Sequence, residues 1–277
     1  MSEHQSEILE QHYAGGDIVA GVKKALGDIG KAEGALEPEE LSSIDQFHVR
    51  SLLATKDLAA AAEPQRDMEI LDIGSGLGGA ARYLASAFGC RVTGIDLMQS
   101  YCDAAAMLTE RCNLSDRISF RQADALALPF PDARFDQVWT QHVSMNIADK
   151  ATLYSEMRRV LRANGRLAIY DPVRAGSEPL HYPVPWARDE RTSFLPTETE
   201  LKQHLQNAGF TVRSWEDKTQ VALQWFEEME KKWAGTKPSP LGIHVLIGPD
   251  IRPMSANLRT NLREGRAKLI QAVCEAR

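Results

Sequence analysis

A glycine-rich turn between an apolar run and a helical segment constrains this chain more than any other feature. Residues 69–73 (EILDI) are mostly apolar, as expected of a buried parallel strand. The turn over 74–79 (GSGLGG) is rich in glycine, which can take backbone angles closed to other residues and lets a ligand approach the main chain. A helix over 80–88 and a second strand over 91–97 follow. The stretch therefore predicts a β-α-β unit that binds a nucleotide-like ligand.

Two acids beside this turn narrow the choice of ligand. Asp96 follows Gly74 by 22 residues, where nucleotide-binding folds place a carboxylate for ribose hydroxyls. Gly74, Gly76 and Gly79 also satisfy the G-x-G-x-x-G pattern, so the spacing alone allows either a dinucleotide or S-adenosylmethionine. Asp72 favours the second ligand, because a carboxylate two residues before the first glycine repels a pyrophosphate but suits the cationic end of an amino acid.

The run LDIGSGLG over 71–78 resembles the first motif of class I S-adenosylmethionine-dependent methyltransferases, which is an apolar run, an acid and G-x-G-x-G. The resemblance implies S-adenosylmethionine as the cofactor. In that family an Asp after the third strand accepts a hydrogen bond from the adenine amino group, and the next backbone amide meets a ring nitrogen; here these are Asp124 and Ala125. The expected cofactor-binding residues are Asp72, Gly74, Ser75, Gly76, Asp96, Leu97, Asp124, Ala125 and Gln141.

The chain reads as one α/β domain, a Rossmann-like, doubly wound sheet of seven strands with an antiparallel last strand. We divide it into a helical N-terminal lid over 1–66, a cofactor-binding core over 67–216, a helical insertion over 217–265 and a last strand over 266–277. The lid resembles that of class I methyltransferases, and this implies Tyr13 against the cofactor and residues 45–48 facing the substrate. Lid helices are predicted over 6–13, 18–26 and 38–55.

The remaining elements follow from local patterns. Thr197 and Glu200 predict a capping box at the start of a helix over 197–208. An Asn-Gly turn precedes the fifth strand, and two amphipathic helices over 218–233 and 255–263 fill the insertion. Strands three to six are predicted over 118–122, 135–140, 166–170 and 210–215.

Polar residues after the fourth strand are the candidates for catalysis. Ligands of open α/β sheets bind outside the carboxyl ends of the strands, so Gln141, His142 and Asn146 should border the transferred methyl group. His142 offers a proton acceptor near neutral pH, although a structural hydrogen bond that holds the loop explains it equally well. In-line transfer of an activated methyl group requires alignment and exclusion of water more than a strong catalytic signature.

A proline-rich segment over 174–196 is predicted to be a loop on the substrate side. If the substrate is an amino acid, its carboxylate needs a cation, and Arg188 and Arg191 are candidates. If the substrate is larger and aromatic, Tyr182, Trp186 and Trp225 would stack on it, although packing under a lid is the commoner fate of such side chains.

Beyond the class, the run over 77–97 and the insertion are similar to methyltransferases that act on sarcosine and dimethylglycine. This resemblance implies N-methylation of a glycine derivative. The alternative is O- or C-methylation of an aromatic or quinol metabolite. Two further possibilities are a nicotinamide-dependent oxidoreductase, which gains nothing from Asp72 and Asp124, and a protein that binds the cofactor without catalysis.

The composition restricts the kinds of partner that this protein is expected to bind. The net charge of −6 and the lack of a long basic run argue against nucleic acid and favour a small-molecule acceptor. The four cysteines form no C-x-x-C pair, so we expect reduced thiols, a cytoplasmic protein and no metal. No apolar stretch approaches the roughly 20 residues that span a bilayer, and the polar, acidic start is unlike a secretory signal. Monomer and homodimer remain equally open.

Overall fold

The computed structural model of the 277-residue chain describes residues 12–13, 17–235 and 239–277. The strands are β1 Glu69–Ile73, β2 Arg91–Asp96, β3 Ile118–Gln122, β4 Phe135–Gln141, β5 Leu161–Arg174, β6 Phe210–Asp217 and β7 Ala267–Ala276. They form one sheet in the order β3-β2-β1-β4-β5-β7-β6. β1 to β5 pair in parallel, whereas β7 is antiparallel to both β5 and β6. The predicted Rossmann-like, doubly wound sheet with an antiparallel last strand is confirmed.

The helices cover both faces of this sheet. They are α1 Ile18–Asp28, α2 Ser42–Asp45, α3 Leu52–Ala62, α4 Gly79–Phe88, α5 Gln99–Arg111, α6 Lys150–Val160, α7 Glu198–Asn207, α8 Thr219–Trp233, α9 His244–Ile247 and α10 Ile251–Arg263. Three short 3-10 helices span Pro38–Leu41, Ser144–Asn146 and Glu190–Thr192. None of the helices in the described part of the chain has the length and apolar character that crossing a bilayer requires.

The central strands are buried on both faces because successive side chains point to opposite sides of the sheet. Leu71 packs with Leu153 of α6 in one hydrophobic cluster. Its neighbour Ile70 packs with Leu58 of α3 and Leu84 of α4 in another. This sandwich of helices explains why β1 reads as a nearly continuous apolar run and leaves its carboxyl end as the accessible edge.

β5 is longer than the strand predicted over 166–170. β5 begins directly after α6, and the pairing register with β4 shifts between Phe135 and Gln137. Asn164, in the predicted Asn-Gly turn, has φ 61 and lies inside this irregular stretch. The capping box of α7 is confirmed, since the Thr197 side chain accepts from the amide of Glu200 and the Glu200 side chain accepts from the amide of Thr197.

The N-terminal segment differs most from the prediction. The helix predicted over 6–13 lies outside the described residues except for its last two, whereas α1 matches the one predicted over 18–26. The prediction of a single helix over 38–55 was wrong. The chain leaves helical geometry at Gln46, turns through Arg50 (φ 70) and Ser51 (φ 48), and resumes as α3. This turn directs residues 46–48 into the interior.

Part of the insertion packs against the N-terminal segment. Leu246 of α9 and Met254 of α10 share a hydrophobic cluster with Ile18 and Val22 of α1, and the cluster rests on α5. The Ser43 hydroxyl donates to the carbonyl of Leu241 at 3.1 Å. We call residues 17–51 and 239–263 together the cover, because they pack as one layer over the carboxyl edge of the sheet.

Candidate functional site

A cleft opens at the carboxyl edge of the sheet, beneath the cover. Its floor is formed by residues that end β1, β2 and β4 and by the segment after β3. Its roof is formed by residues 44–48 and Leu246 of the cover and by Pro185 and Trp186 of the proline-rich loop. This is the place where open α/β sheets bind their ligands.

The glycine turn shapes the floor of the cleft. Gly74 has φ 68, and a Cβ atom there would lie 2.3 Å from Cγ2 of Val143. Gly76 has φ 51, and a Cβ atom there would meet nothing within 4 Å. The first glycine therefore allows close packing of the turn on the loop after β4, and the second leaves the backbone open toward the cleft.

Two buried carboxyl groups stand on either side of this turn. Asp72 is 3% exposed, and its Oδ2 has no hydrogen-bond partner among the described residues. Burial, and then repulsion from Asp96, raises the pKa of Asp72 to about 8. Asp96 accepts from the amides of Gly76 and Met98, both at 3.0 Å, although burial still raises its pKa. Both carboxyl groups therefore resist ionisation in the free site. A cationic ligand would favour their ionised form.

The other predicted cofactor residues also reach the cleft. Ser75, Leu97, Asp124 and Ala125 all line it. The Asp124 carboxylate accepts from the amide of Leu126 at 2.9 Å, which fixes the turn after β3. Asp72 near the end of β1, Asp96 at the end of β2 and Asp124 after β3 therefore form a row along one edge of the sheet.

Gln141 and His142 project from the end of β4. The Gln141 Oε1 accepts from Trp139 Nε1 at 2.8 Å, and its Nε2 is buried without a partner among the described residues. His142 has φ 55, and its ring stacks on Tyr170 with centroids 5.4 Å apart. Burial holds the pKa of His142 well below its ordinary value, so the ring is neutral and able to accept a proton.

Asn146 also lines the cleft, but its hydrogen bonds are fully used. Its Oδ1 accepts from the hydroxyl of Tyr13 at 2.9 Å, and its Nδ2 donates to the carbonyls of Trp186 and Thr192, both at 2.8 Å. This geometry favours a structural role, in which Asn146 ties the proline-rich loop to the sheet, over the catalytic role that the sequence predicted.

Of the four predicted substrate residues, only Trp186 lines the cleft. Arg188 pairs with Asp250 and Arg191 with Asp189, and more than half of each arginine side chain is exposed to solvent. Tyr182 packs in the hydrophobic cluster below the loop, together with Trp225. The prediction that Arg188 and Arg191 receive a substrate carboxylate therefore has no support in this geometry.

Several residues of the cleft had no predicted site role. Leu246 reaches it from the four-residue helix α9, and Met145 from the 3-10 helix after β4. Neither carries a sequence signal, because an apolar residue in a short helix is indistinguishable from a core residue. Gln46 and Phe47 of the cover line the cleft as well, within the segment expected to face the substrate.

A buried ion pair connects the cover to the glycine turn. Arg82 of α4 and Asp45 of α2 are both essentially inaccessible, and Nη2 of the arginine lies 2.8 Å from Oδ2 of the aspartate. The same guanidinium donates to the carbonyl of Leu77 and to the hydroxyl of Thr109 in α5. Arg82 therefore holds cover, turn and α5 in one arrangement.

Comparison with known proteins agrees with this site. Residues 71–169 match a family model described as a methyltransferase domain. The chain is 30% identical over 182 residues to the O-methyltransferase resE of Aspergillus sclerotiorum, covering 65% of the chain and 68% of that protein. It is 29% identical over 153 residues to the sarcosine/dimethylglycine N-methyltransferase of Halorhodospira halochloris, covering 55% of each.

A third relative is a probable chloroplastic tocopherol O-methyltransferase of Oryza sativa subsp. japonica. The two are 33% identical over 145 residues, which are 51% of this chain and 40% of that protein. The chain spans less than half the length of several of the curated relatives it matches. Two of these relatives are named as O-methyltransferases and one as an N-methyltransferase, so they leave the acceptor open.

Solved structures agree on the fold. Geranyl diphosphate C-methyltransferase from Streptomyces coelicolor A3(2), solved with S-adenosyl-L-homocysteine, superposes with a TM-score of 0.71 at 16% identity, covering 100% of this chain and 99% of that one. The [4+2]-cyclase SpnF superposes with a TM-score of 0.69 at 20% identity, covering 98% and 96%. With the glycine turn and its acids in the cleft, the chain belongs to the family of S-adenosylmethionine-dependent methyltransferases.

Proposed function

We propose that this protein transfers a methyl group from S-adenosylmethionine to a hydroxyl group or carbon of a small, largely apolar or aromatic molecule. One observation carries the choice of acceptor. Among the described residues, no lysine or arginine side chain lines the cleft. The lining of the cleft instead includes, besides His142, the side chains of Phe47, Met145, Pro185 and Trp186. Such a lining suits an uncharged, flat or aliphatic molecule.

The row of carboxyl groups supports the placement of the cofactor. Asp72 would face the amino group of S-adenosylmethionine, and Asp96 its ribose hydroxyls. Asp124 and the amide of Ala125 would face the adenine. The unpartnered Oδ2 of Asp72 and the open backbone at Gly76 are the features that fit this ligand. When bound, the cofactor supplies a methyl group that is already activated by its sulfonium charge.

The chain itself must therefore exclude water and receive a proton. His142 is half-buried and neutral, and its Nε2 is buried without a partner among the described residues. An acceptor hydroxyl beside it would lose its proton to this ring as the new bond to carbon forms. Gln141 offers its unpaired Nε2 to an acceptor oxygen, and Asn146 keeps the loop closed above them.

The sequence favoured a glycine derivative, and the relative from Halorhodospira halochloris keeps N-methylation as a second candidate. The cleft favours N-methylation of a glycine derivative less than methylation of an uncharged acceptor. A carboxylate that enters a buried site without a cation loses its hydration uncompensated, and this cost is several kcal/mol in real proteins (about 2–7 kcal/mol even for neutral polar groups). Arg188 and Arg191 stand outside the cleft in ion pairs and cannot offset that cost from their positions.

The test is incubation of the purified protein with methyl-labelled S-adenosylmethionine and a panel of acceptors. The panel holds hydroquinone, a small phenol, sarcosine and dimethylglycine, and label transfer is measured by chromatography of the products. We expect label on the phenolic compounds and none on the amino acids. Methylation of sarcosine alone would refute the proposed acceptor class and leave the family assignment intact.

Calorimetry with the cofactor alone separates the remaining possibilities. Binding of S-adenosylmethionine without turnover of any acceptor would favour a protein that uses the cofactor without methylating these compounds. The [4+2]-cyclase has the same fold, so the fold alone does not determine the reaction. Binding of a nicotinamide nucleotide in its place would favour an oxidoreductase. The small-molecule partner and the cytoplasmic location expected from composition stay predictions.

A further inference from the structure

Three rings with unused hydrogen-bonding atoms, one buried and two half-buried, meet at the wall of the cleft. The ring centroids of His48 and His142 are 6.0 Å apart, and Tyr170 lies 6.0 Å from the first and 5.4 Å from the second. Both histidines line the cleft. His48 belongs to the cover and His142 follows β4, so only the folded chain brings the two rings together.

The hydrogen bonds of His48 fix which of its nitrogens is free. Nε2 lies 3.1 Å from Oε1 of Gln46, which can only accept, and 3.2 Å from Oγ1 of Thr55, which can donate or accept. Nδ1 is buried without a partner among the described residues, and it holds the free lone pair when Nε2 carries the hydrogen. Nε2 of His142 is in the same position. Buried polar atoms without partners are rare, and two of them occur on facing rings.

The backbone is strained where it presents these rings. His142 has φ 55, and Arg50 and Ser51, just after His48, have φ 70 and 48. Non-glycine residues in this region cost about 1–3 kcal/mol each and persist where the surrounding structure holds them, most often at functional sites. Two of the segments that hold such residues bring His48 and His142 to the cleft.

The charged groups around the pair are few. Arg50 pairs with Asp57 of α3 at 2.7 Å, and that pair leads from the rings toward solvent. Asp171, after Tyr170 in β5, accepts from the amide of Val143 at 3.0 Å. Burial lowers the pKa of His48 to about 4, and burial followed by repulsion from His48 holds the pKa of His142 well below its ordinary value. Both rings are thus neutral at neutral pH.

We propose that His48 is the positioning partner of a catalytic base at His142 and shares the proton that His142 takes from the acceptor. This rests on the proposed function. The acceptor O–H bond breaks, its proton goes to Nε2 of His142, and the remaining electron pair forms the bond to the methyl carbon. The carbon–sulfur bond breaks with its electrons on sulfur, which leaves an uncharged thioether. Once the methylated product has left, a water molecule in its place accepts from the new Nε2–H and donates to Nδ1 of His48.

The first test needs no acceptor. The imidazole nitrogens of the full-length protein loaded with S-adenosylhomocysteine are followed by nitrogen NMR from pH 8 downward, in wild type and in His48→Asn. We expect His48 of the wild type in the Nε2–H tautomer. If His48 shares the proton, the titration of His142 should move down by about one to two pH units in the variant, as expected for the loss of a hydrogen bond to a charged group; an upward shift would show that His48 only repels that charge. An unchanged titration of His142 would overturn the proposal.

The second test is turnover of hydroquinone by wild type, His48→Asn, His142→Asn and the double variant. We expect kcat to fall by about 100-fold in His142→Asn, by less in His48→Asn, and no further in the double variant, because groups that act as a unit are non-additive. His181→Asn, a half-exposed histidine paired with Glu264, is the matched control and should match wild type.

Two outcomes of the turnover test contradict the proposal: losses that multiply in the double variant, and a His48→Asn effect confined to KM. If no acceptor is methylated while the NMR titration shows the coupled pair, the pair stands and the proposed acceptor class fails. The two conclusions are therefore decided by separate measurements.

Discussion

Asp72 is the carboxyl group whose replacement tests the electrostatics of the site most directly. We expect Asp72→Asn to stabilise the protein in the absence of cofactor, and to stabilise it more as the pH rises. The pKa of Asp72 is about 8 in the folded protein, against about 3.9 for an ordinary Asp in the unfolded chain. A carboxyl group with a raised pKa contributes stability that is complete below the unfolded value and is lost as the pH climbs through the folded one.

The magnitude follows from these two values. Between about pH 4 and pH 8, each pH unit removes about 1.4 kcal/mol from the free energy of unfolding, because the unfolded chain releases a proton that the folded protein retains. The complete loss is on the order of 5 kcal/mol, which is a large share of the roughly 5–15 kcal/mol that stabilises a typical domain. An asparagine at position 72 has no proton to lose in this range, so the variant escapes the loss.

The assay is urea unfolding of both proteins at pH 5, 6, 7 and 8 without cofactor. The difference in unfolding free energy should grow by about 1.4 kcal/mol per pH unit. Glu156→Gln is the control, since its hydrogen bond with Arg159 lowers the pKa of Glu156, so the stability that Glu156 contributes is complete above the ordinary range for Glu and changes only at lower pH. The difference in unfolding free energy between this control and wild type should not change above pH 6. A flat difference for Asp72→Asn would refute the reasoning.

The same variant should bind the cofactor less well. If Asp72 receives the cationic amino group of S-adenosylmethionine, the loss of that charged contact costs about 1.5–3 kcal/mol, or at least about tenfold in the dissociation constant. Calorimetry at pH 8 measures this. Gain of stability and loss of affinity in one substitution would mark Asp72 as a residue kept for binding at the expense of folding.

Three further substitutions test other parts of the site. Asp96→Ala removes the acceptor of two backbone hydrogen bonds, and calorimetry should show cofactor binding at least about tenfold weaker; an unchanged dissociation constant would contradict the ribose contact. Arg82→Met leaves the buried Asp45 unpaired, so urea unfolding should show a loss of about 3–5 kcal/mol, partly restored by Asp45→Leu in the same chain; additive losses would count against the pair. Gly74→Ala should lower both stability and cofactor affinity, whereas the control Gly27→Ala, in an open helical position, should raise stability by about 1 kcal/mol.

The part of the site that the sequence predicted well is local in origin. The glycine turn, Asp72 and Asp96 belong to one β-α-β unit, whose hydrophobic pattern and backbone requirements are written in consecutive residues. Register then places the end of β3 beside the end of β2, so the position of Asp124 follows from strand order.

The errors come from contacts between distant segments. The helix predicted over 38–55 breaks because Asp45 is held by Arg82 and Thr55 bonds to Gln46, and neither partner is visible from local propensity. Arg188 lies two residues from Trp186, yet Asp250 draws it to the outside. Sequence proximity to a cleft residue says nothing about the direction of a side chain in an irregular loop.

The cover is made of two segments that are almost 200 residues apart in the chain and share one hydrophobic cluster. A chimera that takes only the N-terminal half from a relative would set foreign side chains against Leu241, Leu246 and Met254 and lose the fit between the halves. Evolution faces the same constraint. We expect a change of acceptor preference to need paired substitutions in the two segments of the cover, and co-variation between α1 and α9 among natural sequences would be its trace.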